Sequence, residues 1–242
     1  MRIVSKTDIG RVRRSNQDAY AAGEASGSMA WAVVCDGMGG QNGGDIASAT
    51  AVKIISERIA TGYRDGMGAS SIRTMLLSAV EAANIQIFEM SQSVETLAGM
   101  GTTVVAAVLC GQTAHIAHAG DSRAYLISGE GLTQLTRDHS VVQSMLENGE
   151  LTQDEAKRHP IKNIITRALG VDVGIETDYT EQTLHANDSV LICTDGLTNY
   201  VTGGEIMEIV KNKRFYEYPE EMIARANQNG GGDNVTVVVL GI

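Results

Sequence analysis

The stretch WAVVCDGMGG, residues 31–40, is an apolar, β-branched run that ends on an aspartate in a glycine-rich turn. Its near-continuous apolarity predicts a strand buried on both faces. In a mostly antiparallel fold, that means one sheet packed on another and covered outside by helices. The same form returns in VLICTDGL at 190–197, where a strand again delivers Asp-Gly. HIAHAGDSR at 115–123 places an aspartate between two strands, and GGGDNVTVVVL at 230–240 places one just before the last. Asp-Gly at a strand end is an ordinary turn, so a single example carries no chemistry. Asp36, Asp121, Asp195 and Asp233 together are different, because carboxylates gathered at one end of a sheet repel and lose hydration unless a cation offsets the cost. Hard oxygen donors without a Cys or His cluster point to Mg²⁺ or Mn²⁺ and away from zinc.

Working outward, β-branched runs predict strands at 29–35, 102–109, 113–119, 124–127, 189–193 and 235–240. Between the early strands, Ile72, Met75, Leu76, Ala79, Val80, Ala83 and Ile87 recur at helical spacing and predict a helix over 70–93 with one buried face. Ile46, Ala49, Val52, Ile55 and Ile59 do the same over 45–60, ending at Gly62. Shorter helices are expected at 140–148, 152–158, 204–211 and 220–227. Strands and helices fall in blocks, so the class is α+β, arranged as a layered sandwich. With only Pro160 and Pro219, no linker-like tract and no internal repeat, the 242 residues are expected to form one domain.

The formal charge of −10 disfavours nucleic acid and anionic membrane surfaces as partners. Cys35, Cys110 and Cys193 are odd in number, form no CxxC pair and are expected to be buried thiols in a reducing compartment. No signal-like or membrane-spanning apolar segment is present, so a soluble cytoplasmic protein is expected. His115 and His118 lie three apart in a strand, point to opposite faces and read as packing residues. His139, in TRDHS at 136–140, reads as a cap or packing residue, and His159 and His185 carry no signal. The glycines of DGMGGQNGGD at 36–45 lack the Lys-Ser/Thr ending of a P-loop and the spacing of GxGxxG. They suit a close backbone approach to a metal, with the Gly37 carbonyl as a candidate ligand.

The ordered set RRSNQD (13–18), DGMGG (36–40), GMGTTVV (99–105), AGDSRAY (119–125), TRDHS (136–140), TRALG (166–170), CTDGL (193–197) and GGDNVTVV (231–238) resembles the type 2C, metal-dependent (PPM-type) protein phosphatases along the whole chain. It is particularly similar to the compact bacterial Ser/Thr members. The resemblance implies a four-layer α-β-β-α sandwich of two antiparallel sheets flanked by helices, with two core Mn²⁺ or Mg²⁺ ions at one end and, as in bacterial members, a weaker third. It implies hydrolysis of phosphoserine and phosphothreonine in proteins by a water bridging two metals, with phosphoprotein substrates, a cognate bacterial Ser/Thr kinase and a monomeric enzyme. Carried onto this chain, Asp36 bridges both metals, Asp195 and Asp233 complete the first site, and the Gly37 carbonyl serves the second. Asp18 acts on the second through water, Asp121 with Asp195 matches a weaker third site, and Arg13 matches the arginine that grips the substrate phosphate. Gln17 stands where many eukaryotic members have glutamate, and Met38 where they have a histidine proposed as general acid. Residues 140–168 match the flap beside the site. A phosphoprotein-binding pseudophosphatase would be expected to lose metal aspartates, and all four are present.

Overall fold

A computed structural model describes residues 1–25, 29–39 and 43–242, without the side chains of Gln153, Lys157 and Arg158. Gly40, Gln41 and Asn42 of the glycine-rich turn therefore lie outside the described residues. One antiparallel sheet has the order β1 (Arg2–Asp8), β11 (Val235–Gly241), β10 (Ser189–Cys193), β7 (Arg123–Ser128), β8 (Gly131–Gln134). The other has the order β2 (Asp18–Ala25), β3 (Met29–Met38), β5 (Val104–Cys110), β6 (Thr113–Ala119), β9 (Asp178–Thr183), and the two-residue β4 (Gly101–Thr102) also pairs with β3.

Side-chain alternation along β3 makes the layers. Ala30, Ala32 and Val34 enter the space between the sheets and meet Val190, Ile192, Val238 and Leu240 of the facing sheet. Met29, Trp31, Val33 and Cys35 turn the other way and pack under α1 (Gly44–Gly62) and α2 (Ala69–Ser93). On the far side, Leu191, Val237 and Val239 pack under α6 (Gly203–Asn212) and α7 (Tyr218–Gln228). The result is the expected α-β-β-α sandwich, in which fully burying each Val, Leu or Ile contributes about 1.5–3 kcal/mol.

The six predicted strands are the six interior strands, from β3 to β11. Apart from the two-residue β4, the strands not predicted, β1, β2, β8 and β9, are the edges of the two sheets. Their burial is mixed and they carry Lys6, Glu24 and Glu181, the polar character that keeps an edge from pairing with another chain. All six predicted helices form, within two residues at each end. On α1 the predicted stripe needs correction, since Ile46 and Ala49 are exposed and the buried face runs through Ala47, Ser48, Ala51, Val52, Ile55 and Ile59. Small residues occupy that face because the helix start lies close against the backbone of Gly37, where bulk has no room. Cys110 also departs from expectation, being half-buried at the end of β5 beside the Tyr63 hydroxyl, while Cys35 and Cys193 are buried and all three are free.

The turn after β10 leads into α5 (Asp195–Thr198). A Cβ on Gly196 would lie 1.8 Å from the carbonyl oxygen of Asn234, a backbone atom that cannot swing away. Gly196→Ala must therefore push the Asp195 turn off the loop before β11, costing about 1–3 kcal/mol. A fall in melting temperature of roughly 5 °C is expected in thermal unfolding. An unchanged transition would show that the two segments are not held in contact.

Candidate active site

The ends of β3 and β10, the loop before β11 and the turn between β6 and β7 open on one cleft of about 470 Å³. Its lining includes Arg13, Gln17, Asp36, Gly37, Met38, Thr103, Asp121, Asp195 and Asp233. Asp18 lies just behind: it is the antiparallel partner of Asp36 in the β2–β3 register and is buried. The structure thus brings together every residue singled out from the sequence.

Asp36 is held through its main chain, Asp18 by two hydroxyls and Asp195 by an amide. The Asp36 N–H donates to Thr103 Oγ1 at 2.9 Å, and the Asp36 carbonyl accepts from the Thr103 N–H and the Thr102 hydroxyl, both at 2.9 Å. Thr103 Oγ1 also lies 2.7 Å from Ser122 Oγ, tying the Asp36 strand to the Asp121 turn. Asp18 Oδ2 accepts from the hydroxyls of Thr236 at 2.7 Å and Thr194 at 2.9 Å, whereas its buried Oδ1 has no protein partner. Asp195 Oδ2 accepts from Asn199 at 2.8 Å. Gly37 has no room for a side chain, since a Cβ would lie 1.9 Å from the Gly44 carbonyl oxygen.

Burial, with mutual repulsion second, raises the proton affinity of Asp18, Asp36, Asp121 and Asp195. Burial, followed by the charges of Asp18, Asp195, Asp121 and Asp233, pushes Asp36 well above the ordinary carboxylate value. Burial is also the first cause for Asp121, raised to about 8 with the help of Asp195 and Asp138. Burial raises Asp18 to about 7 despite its two hydroxyl bonds, and burial with the charge of Asp233 raises Asp195 to about 6. Such a group of anions, with an unpartnered oxygen on Asp18, has the donor chemistry that hard divalent cations take. No three of these carboxylates bring oxygens within 4.8 Å of one another among the described residues. Oxygens that share one such ion lie within roughly 4.3 Å of one another, so Asp36, Asp195 and Asp233 must draw closer to hold one together.

Arg13 is the cationic counterpart. Its Nη2 donates to Asp233 Oδ2 at 2.8 Å, and this bond, with the further charges of Asp36 and Asp195, raises its pKa. Asn234 holds the arginine-bearing loop in place. Its Oδ1 accepts from the Gln17 N–H at 2.9 Å, and its Nδ2 donates to the carbonyls of Ile9 and Ser15, both at 3.0 Å. Thr103, Thr194, Thr236 and Asn234 were not predicted as site residues. All four stand beside or within the quoted motifs, which was the available signal.

His118, His139 and Asp178 place one donor atom each within 4.8 Å of one another. His139 Nδ1 accepts from the Gly120 N–H at 3.1 Å, leaving the single proton of the neutral ring on Nε2, 3.2 Å from Asp178 Oδ2. The Arg167 guanidinium, 3.0 Å from Asp178 Oδ1, already neutralises the carboxylate and would repel a cation. His139 and His118 are packing residues, their ring centroids 4.7 Å apart, and the helix cap beside them is Ser140, whose Oγ accepts from the Gln143 N–H. His115 bonds Tyr179 on the other face of β6.

The family model for protein phosphatase 2C matches residues 11–237. The chain is 40% identical over 238 residues to the serine/threonine phosphatase Stp of Listeria monocytogenes, covering 97% of this chain and 93% of that one. It is 36% identical over 241 residues to the protein phosphatase PhpP of Streptococcus pneumoniae, covering 99% and 97%. The crystallised serine/threonine phosphatase of S. agalactiae superposes with a TM-score of 0.93 at 35% identity, over 100% of this chain and 99% of that one. The catalytic domain of the serine/threonine protein phosphatase PstP, solved with two manganese ions, has a TM-score of 0.86 at 32% identity, with coverage of 98% and 96%. With its family motifs, fold and clustered carboxylates in agreement, the chain belongs to the protein phosphatase 2C family of metal-dependent serine/threonine phosphatases.

Proposed function

We propose that this phosphatase hydrolyses phosphoserine and phosphothreonine in proteins modified by a partner Ser/Thr kinase, using Mn²⁺ or Mg²⁺. The observation that carries this reading is the convergence of Asp36, Asp121, Asp195 and Asp233 with Arg13 in one cleft, backed by Asp18. Asp36 would serve two core ions, Asp195 and Asp233 the first, and the Gly37 carbonyl with Asp18 through water the second. Asp121 with Asp195 would take a third. When bound, these ions supply Lewis acidity toward the phosphoryl oxygens and lower the pKa of water.

Arg13 orients the substrate. The guanidinium carries five N–H donors, so a bond to Asp233 leaves others for phosphoryl oxygens. Asn234 and Gln17 hold its loop against the cleft, fixing the donors where charge develops during transfer. Arg13→Ala is expected to reduce kcat/KM on a phosphothreonine peptide about 10²-fold through both constants, with Arg13→Lys in between because it keeps charge and loses the fork. Unchanged kinetics would remove Arg13 from substrate contact. Among the described residues lining the cleft none is histidine, and Met38 has no proton to give. We assign the proton of the leaving alkoxide to water.

The chain is read as one catalytic unit over 1–242, monomeric, with 140–168 as its flap. A cytoplasmic setting suits its three free thiols. No described helix is long and apolar enough to cross a membrane. The test is Mn²⁺-dependent release of phosphate from a phosphothreonine peptide. Absence of turnover with metal bound would overturn the proposal.

A further inference from the structure

A second cavity, of about 780 Å³, runs from the active-site cleft beneath the segment 140–168. It is continuous with the cleft, because Asp121, Asn163 and Asp195 line both. At this shared end it is anionic. Farther along, its floor is electrically quiet: Arg123 and Asp138 form a two-pronged ion pair with contacts of 2.6 and 2.8 Å. Beyond them the walls become apolar. Val142 and Leu146 of α3 (Val141–Glu147) and Ala156 of α4 (Gln153–Arg158) face Leu132 of β8 and Ile206 and Met207 of α6 across the cavity.

We infer that this groove is a subsite for the substrate polypeptide, taking an apolar side chain a few residues to one side of the phosphorylated Ser or Thr. The inference rests on the protein-substrate reading above. Three features favour that occupant. The groove starts at the carboxylates where the phosphoryl group must sit, so a chain anchored there by its phosphate is directed into it. An extended peptide advances about 3.3–3.6 Å per residue, which lets a nearby flank reach the apolar end without any rearrangement of the phosphate. Among its described residues the far wall offers several carbon side chains, so a leucine or methionine gains burial there, whereas a charged residue loses hydration. Lys162, which donates to Asn199 Oδ1 at 3.1 Å, lies at the mouth and leaves acidic residues tolerated only next to the phosphoresidue.

The groove selects through α3, an element remote from the reacting atoms. Its contribution should therefore vanish for a substrate with no flanks. The experiment scans phosphothreonine peptides with leucine or glutamate at each position on both sides, using the Mn²⁺-loaded enzyme, with p-nitrophenyl phosphate as the flankless control. Leucine at a single flanking position is expected to raise kcat/KM about tenfold over glutamate, mainly through KM, as one apolar pocket contact does. Leu146→Gln and, separately, Met207→Gln should abolish that preference and leave p-nitrophenyl phosphate turnover within twofold, the usual margin for a residue outside the chemistry. A flat scan, a preference for charge at every position, or a leucine preference that survives both substitutions would overturn the groove assignment alone. Cleavage of the small ester with no peptide turned over would overturn the protein-substrate reading and the groove with it.

Discussion

Asp36→Asn should lower turnover on the order of 10³-fold, about 4 kcal/mol in barrier height, and at the same time raise the melting temperature of the metal-free protein. Both effects come from the same charge. The carboxylate lies in the midst of Asp18, Asp195, Asp121 and Asp233, which together with burial hold its pKa well above the ordinary value. Without a cation, ionised Asp36 is a net cost to folding, and a neutral amide of the same shape relieves it. A gain on the order of 5 °C is expected in metal-free melts near neutral pH. With Mn²⁺ the order reverses, since the wild type gains stability by binding the ion in its folded state and the variant gains less. The backbone bonds from Thr102 and Thr103 to Asp36 do not depend on its side chain, so the variant keeps its fold. Asp195→Asn should act in the same direction. Steady-state kinetics and melts with and without Mn²⁺ check both halves. Activity within tenfold of wild type would remove Asp36 from the catalytic centre, and a lower metal-free melting temperature would show that its charge is not under repulsion.

What could be seen in the sequence follows from where burial is two-sided. The runs 29–35 and 235–240 are apolar at both parities because one parity faces the other sheet and the other faces helices, and this announced both the strands and the layers. At β1 and β9 one edge lacks a neighbouring strand, the alternation is diluted by charge, and only the register with β11 or β6 identifies them. The same distinction applies to the site. Asp36 and Asp195 end interior strands, and Asp121 and Asp233 flank them, so all four stood out from residue pattern alone. Asp18 opens an edge strand and Arg13 precedes it on a loop, so neither had a pattern of its own and both entered through family resemblance. Ile46 and Ala49 misled because apolar residues at helical spacing were taken as the sign of the buried face, whereas Ser48 belongs to it. Where α1 starts beside Gly37, closeness demands small residues instead.

Metal-free stability should fall as pH rises from about 6.5 to above 8, while Mn²⁺ affinity rises over the same interval. The sign follows from which state holds the protons. Asp18 and Asp121 are raised from 3.8 to about 7 and about 8, so between those limits the folded chain keeps protons that the unfolded chain has released. Stability from this source is complete below the unfolded value and is lost as pH passes the folded ones. Other groups confine the clean window to its upper part. His118 is lowered from 6.5 to about 4 by burial, so its contribution is lost as pH falls below 6.5, opposing the carboxylates there. Glu205, held near 2 first by the Thr202 N–H bond, acts only in the acid range. Above 6.5 these groups are in the same state folded and unfolded, and the carboxylates decide. A cation competes for the protons they hold, so binding releases protons, and affinity should drop on the order of 10²-fold when pH is lowered from about 8 to about 6.5. Calorimetric titration with Mn²⁺ in two buffers of different ionisation enthalpy measures the release, and metal-free melts measure the stability. A metal-free melting temperature that climbs between pH 6.5 and 8, or Mn²⁺ binding without proton release at pH 7, would mean that these carboxylates are already ionised and that their repulsion is relieved by something other than a bound ion.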